Sequence, residues 1–227
     1  MARLTGSVLG NLSGKLGNLA ARTRDGKTIL SARPSSFTVN YSPAAVAVRQ
    51  KFAVTIAIVK SVLELPTLKT IWAKAKDPGI SAANTIFRDN FQLVSTDHPT
   101  NANIITPGGF DISLQNPVVG ADTVTFDLDV LNTKADFSAE EADLELDVVV
   151  CYYNPVDPLD PAYSLINLST VEANYDFASS LPFIFNYNVN QQNVAAKYQN
   201  NILYLAVATK DSSGKVIKCS STLAIEG

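Results

Sequence analysis

The chain has 227 residues, of which 46% are hydrophobic and 17% are charged, and its net charge is −3. This balance is ordinary for a folded protein and too apolar for an intrinsically disordered one. The best candidate for a membrane span, residues 52–59, has eight residues, far short of the ~18 that a bilayer requires. No apolar segment follows Arg3, so the sequence predicts no Sec-dependent export.

Charge is distributed unevenly along the chain. Residues 1–98 carry 13 Lys and Arg against 5 Asp and Glu, a net +8, whereas residues 99–227 carry 5 against 16, a net −11. Unlike halves of this kind attract one another within a molecule or between neighbouring copies, or they are simply two domains with different surfaces. The basic residues are scattered and not interleaved with aromatic residues, which argues against nucleic acid as a partner.

A glycine-rich segment opens the chain. Four glycines would weaken a helix by about 1 kcal/mol each, so the segment is predicted to be extended, with tight turns, and to lie against another backbone. Its leucines need cover, either from their own domain or from a neighbouring subunit. We therefore predict an assembly arm that consists of Gly6, Leu9, Gly10, Leu12, Gly14, Leu16 and Gly17.

A hairpin and three helices are predicted after the arm. The dipeptide Asp25-Gly26 is typical of a two-residue hairpin turn, with strands at residues 17–24 and 27–33. Ser42 and Pro43 then form a helix start, Pro66 begins a second helix, and Ser81 caps a third. Aromatic residues at helical spacing, Trp72 and Phe52 among them, are expected to share one helical core.

Beyond residue 109 the hydrophobic period changes from that of helices to that of strands. We predict a first domain at residues 1–95 that consists of the glycine-rich arm, the hairpin and the helices, followed by a linker at 96–109. The domain at 110–227 is predicted to be an antiparallel immunoglobulin-like β-sandwich of about seven strands. Strand alternation places four acidic residues on one sheet face that is expected to be solvated. These are Asp127, Asp129, Glu145 and Asp147.

Candidate chemistry is sparse. His98 is the single histidine and stands in the predicted linker, which does not favour a Ser-His-Asp or Cys-His site. Cys151 and Cys219 are too few and too far apart for a disulfide framework or a metal site, so they are expected to be free thiols. Acidic residues 140–147 lack the pattern of a calcium loop. No catalytic, cofactor-binding or metal-binding residue is therefore assigned.

Several segments occur together in a known family. They are GNLSGKLGN, DGKTILSARP, SPAAVAVRQKF, NTIFRDNF and LYLAVATKDSSGKVIKCSS. With them the chain resembles a family of bacterial, mostly Bacteroidetes, and bacteriophage-associated proteins of unknown function. The resemblance covers most of the chain, is most specific in residues 6–95, and brings no catalytic residues with it.

Together these features predict an α+β protein that serves as a non-enzymatic structural subunit of a phage-like virion or related particle, as a capsid decoration or tail component. Its expected partners are further copies of itself and other particle proteins, with no cofactor and no membrane. Its expected location is the virion, or the bacterial cytoplasm before assembly.

Two other functions stay open at this point. One is a carbohydrate- or protein-binding module whose site lies in the sandwich loops. Exposed tyrosines among Tyr152, Tyr153, Tyr163 and Tyr175 would favour that module. The other is an enzyme whose site carries no recognisable motif.

Overall fold

The structure is a computed structural model that describes residues 2–4, 12–24, 27–34, 36 and 38–227. Its contacts divide the chain into two compact units, Met1–Ala45 and Val46–Gly227. We call them the N-terminal unit and the C-terminal unit. The boundary predicted at residues 96–109 does not coincide with this division.

The N-terminal unit contains a four-stranded antiparallel sheet with the strand order β1-β4-β3-β2. The strands are β1 (Ala2–Leu4), β2 (Gly14–Leu16), β3 (Leu19–Arg24) and β4 (Lys27–Ala32). Leu16 pairs with Leu19, so β2 and β3 are joined by a two-residue turn. Gly17 opens that turn at φ +56°, where glycine is favoured. The sequence placed Gly17 within a strand, so this second hairpin is an addition to the prediction.

Three helices follow, and each begins where the sequence predicts. They are α1 (Pro43–Glu64), α2 (Pro66–Ala75) and α3 (Ala82–Asn90). A proline at the first helical position has no N–H to leave unpaired, which suits the starts of α1 and α2. The Ser81 hydroxyl accepts a hydrogen bond from the Asn84 amide at 3.2 Å and caps α3.

The rest of the C-terminal unit is built mainly from strands. They are β5 (Leu114–Val119), β6 (Thr123–Leu128), β7 (Asp143–Pro155), β8 (Tyr163–Glu172), β9 (Leu181–Asn186), β10 (Tyr198–Lys210), β11 (Val216–Cys219) and β12 (Leu223–Glu226), with α4 (Val189–Ala195) between β9 and β10. They form a five-stranded sheet, ordered β11-β10-β7-β8 with β12 also on β10, and a three-stranded sheet ordered β5-β6-β9. The predicted mixed α+β class is confirmed.

Two hydrophobic cores lie on the two faces of the five-stranded sheet. One core joins Val148 and Val150 of β7 to Phe126 and Phe183 of the three-stranded sheet, so the two sheets face each other. The other core joins Val149 and Cys151 of β7 to the helices α1, α2 and α3. Because both faces of β7 are covered, its second half, residues 148–152, is a continuous apolar run that does not alternate between apolar and polar residues.

Two elements differ from the prediction. The seventh predicted strand is interrupted after Cys219, so β11 and β12 are separate strands and the region holds eight strands. The sequence analysis did not predict helix α4, although its start carries a capping box. The side chain of Asn188 accepts a hydrogen bond from the backbone N–H of Gln191, and the side chain of Gln191 accepts one from the backbone N–H of Asn188.

The prediction of one solvated acidic face is wrong for half of its members. Glu145 and Asp147 of β7 are 6% and 1% exposed, and they lie on the face that the helices cover. Glu145 forms an ion pair with Lys210 of β10, which compensates its burial. Asp127 and Asp129 are partly exposed.

The three helices and the five-stranded sheet share a core, so residues 96–109 do not separate two compact units. Trp72 of α2 is fully buried, and its indole N–H donates to the Ile105 carbonyl at 2.8 Å. Ile105 lies in the predicted linker and is itself 2% exposed. Phe52, in contrast, was expected in this core and is 52% exposed, although its ring contacts that of Phe87. Among the described residues, none of the helices combines the length and the hydropathy needed to cross a bilayer.

Candidate functional site

The predicted assembly arm is described only in part. Gly6, Leu9, Gly10 and the turn residues Asp25 and Gly26 lie outside the described residues. Of the others, Leu12 is half-buried, and its carbonyl accepts a hydrogen bond from the Thr23 hydroxyl at 3.0 Å. Gly14, Leu16 and Gly17 belong to β2 and its turn. The described arm residues therefore lie in and next to β2, one of the two edge strands of the N-terminal sheet.

The register of the N-terminal sheet creates a basic face. Arg22 pairs with Ile29, and Lys15 pairs with Ala20. Paired residues of antiparallel strands lie on one face, and alternation along β4 adds Lys27 to it. Lys15, Arg22 and Lys27 are exposed, and Ile29 is half-buried among them. We call Lys15, Arg22, Lys27 and Ile29 the N-terminal basic face.

The opposite face is apolar and hydroxylic. Leu19, Ala21 and Leu30 lie on it half-buried, and the Thr23 and Thr28 hydroxyls are 2.8 Å apart. Among the described side chains of residues 12–45, Thr28 alone is fully buried, at 8% exposure. The described part of the N-terminal unit therefore has no hydrophobic core of its own.

The outer face of the three-stranded sheet is exposed and partly apolar. Val118, Thr125 and Ile184 form one row across β5, β6 and β9. Val118 is 56% exposed and Ile184 is 66% exposed. Asp127 lies on the same face, two residues along β6, and its carboxylate accepts from the Asn116 side chain at 2.9 Å. We call this surface the outer acidic face.

An apolar cleft of about 470 Å³ lies between α2 and β11 in the C-terminal unit. Ile71, Phe110 and Val216 contribute to its walls. Two lysines border it, but the Lys74 ammonium already donates to the Val216 carbonyl at 2.9 Å, and that of Lys218 contacts the Glu141 carboxylate at 3.0 Å. The cleft therefore offers apolar contact and no uncommitted charge.

Glu141 is held in an unusually complete set of contacts. Burial opposes its ionisation, but hydrogen bonds from the Thr209 hydroxyl, the Ser138 amide and Lys218 outweigh burial and lower the pKa of Glu141. These contacts anchor the loop between β6 and β7 onto β10 and β11. Glu141 is therefore an ionised residue that stabilises the fold.

A second cavity, of about 480 Å³, lies beside His98. The imidazole stacks on the Tyr153 ring with the centroids 4.2 Å apart. The Ser95 hydroxyl and the Asp97 carboxylate both approach Nδ1 of His98, at 3.3 and 3.2 Å. In a catalytic triad the serine and the carboxylate hold opposite ring nitrogens. This arrangement is instead a hydrogen-bonded turn.

Neither cysteine has the surroundings of a nucleophile. Both thiols are free, as predicted, and Cys151 is fully buried. Burial raises the pKa of Cys151 to about 12. Burial also raises the pKa of the half-buried Cys219, although the charge of Lys74 acts in the opposite direction. Because the thiolate is the reactive form, both positions are unreactive near neutral pH.

In the part of the chain that the structure describes, no group of three or more His, Cys, Asp or Glu side chains is placed to hold a metal ion. The tyrosines that bear on the binding-module hypothesis are divided: Tyr152 and Tyr175 are buried, whereas Tyr153 and Tyr163 are half-exposed.

Sequence reasoning missed both exposed faces of the two small sheets. Lys15, Arg22 and Lys27 lie on three different strands, and only the register of β2, β3 and β4 shows that they share one face. Val118 and Ile184 are separated by 66 positions and become neighbours only through β6. The available signal was the uneven charge of the two halves, which indicated the kind of surface but not its residues.

Comparisons with known proteins identify no family. No protein-family model and no curated protein matches the chain. Among solved structures it is similar to the β-glucosidase from Kluyveromyces marxianus, in complex with glucose and in a selenomethionine-labelled form, at 14% identity and TM-scores of 0.20 and 0.22. The match covers 63% of this chain and 17% of the β-glucosidase chain. At such TM-scores the likeness carries no argument about fold or activity.

Proposed function

We propose that the protein is a non-enzymatic structural subunit that assembles through its N-terminal unit. The observation that carries the proposal is the state of the N-terminal sheet, where the described apolar residues are at most half-buried. A small sheet without a core is marginal in water and is stabilised by packing against another surface. The arm supplies the edge strand β2 of this sheet, which gives the glycine-rich segment a role in the same contact.

We further propose a phage-like virion or related particle as the setting, with capsid decoration or a tail component as the position. The support for this placement is the family resemblance of the sequence motifs. An immunoglobulin-like sandwich belongs to the same proposal, and its support is the division of β5-β6-β9 and β8-β7-β10-β11 between two facing sheets.

The test is deletion of residues 1–16, which removes β1 and β2 and keeps the β3–β4 hairpin. We expect the full chain to associate with rising concentration in sedimentation velocity and the deletion variant to remain monomeric. Fluorescence of the buried Trp72 should be the same in both, because its core lies in the C-terminal unit.

Two matched full-length variants test whether association depends on the leucines of the arm or only on the presence of the arm. Leu9→Ser with Leu12→Ser should weaken association, whereas Asn11→Ser with Ser13→Asn should not. A deletion variant that associates like the full chain would refute assembly through the arm.

A binding module remains the second candidate function, and the cavity beside His98 favours it. Half-exposed Tyr153 lies there with the side chains of Asn154, Asp160 and Asn200, a mixture of an aromatic ring and polar groups that suits a polar ligand. Titration of an oligosaccharide panel should then shift the tyrosine fluorescence of the protein, and Tyr153→Ala should abolish the shift.

A further inference from the structure

We infer that the N-terminal basic face of one copy binds the outer acidic face of a second copy. The inference rests on the proposed function, because it names the surface that receives the N-terminal unit. It assigns the contact to Lys15, Arg22 and Lys27 on one side and Asp127 on the other. Ile29 would pack near Val118 and Ile184.

Charge supports this pairing of surfaces. Residues 1–45 carry 6 Lys and Arg against 1 acidic residue, a net +5, whereas residues 46–227 carry 12 against 20, a net −8. The segments that contain the three-stranded sheet, residues 110–131 and 179–196, contain four aspartates and no Lys or Arg. The outer acidic face therefore has no cation of its own.

Apolar exposure supports it as well. Two large apolar side chains of the outer acidic face, Val118 and Ile184, are exposed and flank Thr125 in the middle of the sheet. Isolated exposed apolar residues are common, but two in one row across three strands, next to the Asp127 carboxylate, have the composition of a polar-rimmed interface. Ile29 stands in the same position among the cations of the N-terminal basic face.

The size of the surface predicts a weak contact. Three strands of six residues, at about 3.4 Å per residue and about 4.8 Å between strands, present roughly 300 Å². A stable interface buries about 800 Å² on each partner. A single contact is therefore transient, and it becomes effective where many copies are held together.

The geometry of the pair also defines the kind of assembly. The two faces are different surfaces of one chain, so the contact is heterologous: each copy offers one face to the copy before it and the other to the copy after it. Such contacts produce rings when the rotation closes and filaments when it does not.

Charge reversal with mixing tests the pairing. One variant carries Arg22→Glu and Lys27→Glu, and a second carries Asp127→Lys and Asp129→Lys. Asp129 adjoins the outer acidic face, because its Oδ1 accepts a hydrogen bond at 2.7 Å from Gln115, the β5 partner of Asp127. Each alone should associate about tenfold more weakly than the wild type, because like charges then face each other. Mixed in equal amounts, the two should recover association, since both reversed faces then meet a complementary partner.

Matched controls carry the same charge changes elsewhere. Lys134→Glu with Lys215→Glu, and Glu140→Lys with Glu172→Lys, alter exposed residues outside both faces. These controls should associate like the wild type in sedimentation velocity at 0.15 M salt. Raising the salt to 1 M should weaken association of the wild type and of the mixed pair alike.

Several results would overturn the inference. The first is reversed variants that associate like the wild type, or a mixture that does not recover. If deletion of residues 1–16 abolishes association while charge reversal has no effect, the proposed function stands and the surface assignment falls. Binding of a 20-base-pair DNA duplex that is lost on Arg22→Glu with Lys27→Glu, with self-association unchanged, would assign the basic face to nucleic acid instead.

Discussion

Asp147 is the residue whose surroundings fit its charge least well. It is 1% exposed, and its Oδ1 has no hydrogen-bond partner among the described residues. Burial raises the pKa of Asp147 to about 7, the negative charge of Glu145 adds to this, and Lys210 opposes it. The carboxyl group is therefore protonated in the folded protein across a pH range in which the unfolded chain has already lost the proton.

This difference predicts how Asp147 affects stability as the pH changes. In the unfolded chain the pKa is near 4, so the contribution of Asp147 to stability falls as pH rises from about 4 to about 7 and is constant above that. Asp147→Asn keeps the neutral form at every pH. It should match the wild type near pH 4 and be more stable by about 2 kcal/mol at pH 8, less than the roughly 4 kcal/mol that three pKa units imply.

Urea unfolding followed by Trp72 fluorescence between pH 4 and pH 8 measures this difference. Asp157→Asn, at an exposed position, is the control and should show no pH-dependent gain. A stability difference between Asp147→Asn and the wild type that is the same at pH 4 and pH 8 would contradict the assignment.

Gly109 gives a second prediction at the scale of one residue. A Cβ at this position would lie 1.8 Å from the carbonyl oxygen of Cys219, which is backbone and cannot rotate away. Phe110 beside it forms a bridge to Ser220, so the two segments cannot separate without losing hydrogen bonds. Gly109→Ala should cost about 2–3 kcal/mol of unfolding free energy.

Gly120→Ala is the matched control for Gly109→Ala. There the nearest atom to a new Cβ is the Thr123 carbonyl oxygen at 3.3 Å, and φ lies outside the left-handed region. A cost below about 1 kcal/mol is expected from thermal unfolding of this variant. Equal costs for the two variants would mean that the chain at Gly109 moves aside more easily than the structure indicates.

At the scale of secondary-structure elements, the sequence predicted the helices best. Prolines and serines fix the starts of α1, α2 and α3 locally, so a single sequence reveals them. The interiors are harder, because the buried side of α1 depends on what covers it. Phe52 has the correct spacing and is nevertheless exposed, whereas Val54, Ile58 and Val62 face the sheet.

For the strands, the sequence predicts existence better than burial. Apolar runs with a period of two reveal a strand, but they do not show which of its faces is covered. β7 has Glu145 and Asp147 at alternating positions, and alternation alone indicates a solvated face. The helices cover that face, and Lys210 arrives from β10 to pair with Glu145. Such a partner is 65 residues away in sequence and cannot be inferred from the strand alone.

The five-stranded sheet and the N-terminal sheet differ in how well their strands are covered, and this difference predicts their rates of hydrogen exchange. Amides of β7 and β10 lie between two cores, whereas those of β3 and β4 lie in a sheet whose described apolar side chains are at most half-buried. Local opening costs less free energy where few apolar contacts must be broken. Under dilute, monomeric conditions we expect β3 and β4 to exchange at least about 100-fold faster than β7 and β10.

Mass-spectrometric hydrogen exchange at two protein concentrations measures this and adds a link to assembly. Protection of β3 and β4 should rise at high concentration, where neighbouring copies cover the sheet. Protection equal to that of β10 in the dilute sample would show that the N-terminal sheet is stable without a partner.

At the scale of the whole molecule, the sequence predicted two domains and placed their boundary by composition. Residues 96–109 are rich in turn formers, which is typical of a linker. In the structure this segment is tied to its neighbours: the Asn103 side chain donates to Oδ1 of Asn90 at 3.0 Å, and the Thr222 hydroxyl accepts from the Ile105 amide at 2.8 Å. Turn composition reports local conformation, whereas a domain boundary depends on contacts that are remote in sequence.

Limited proteolysis distinguishes the two boundaries. A protease needs an exposed segment that leaves its surroundings at little cost. The described residues of 33–42 are exposed and lack helix or strand, whereas Ile105 and Asn103 are each 2% exposed. Brief digestion with proteinase K should therefore cut first within residues 33–42.

The fragment that begins near Pro43 should keep its helical and strand signals in circular dichroism and its Trp72 fluorescence. It should also fail to associate, because it has lost the N-terminal basic face. A first cut within residues 96–109 would instead support the boundary expected from composition, and it would mean that the helices release from the sheet more readily than their shared core implies.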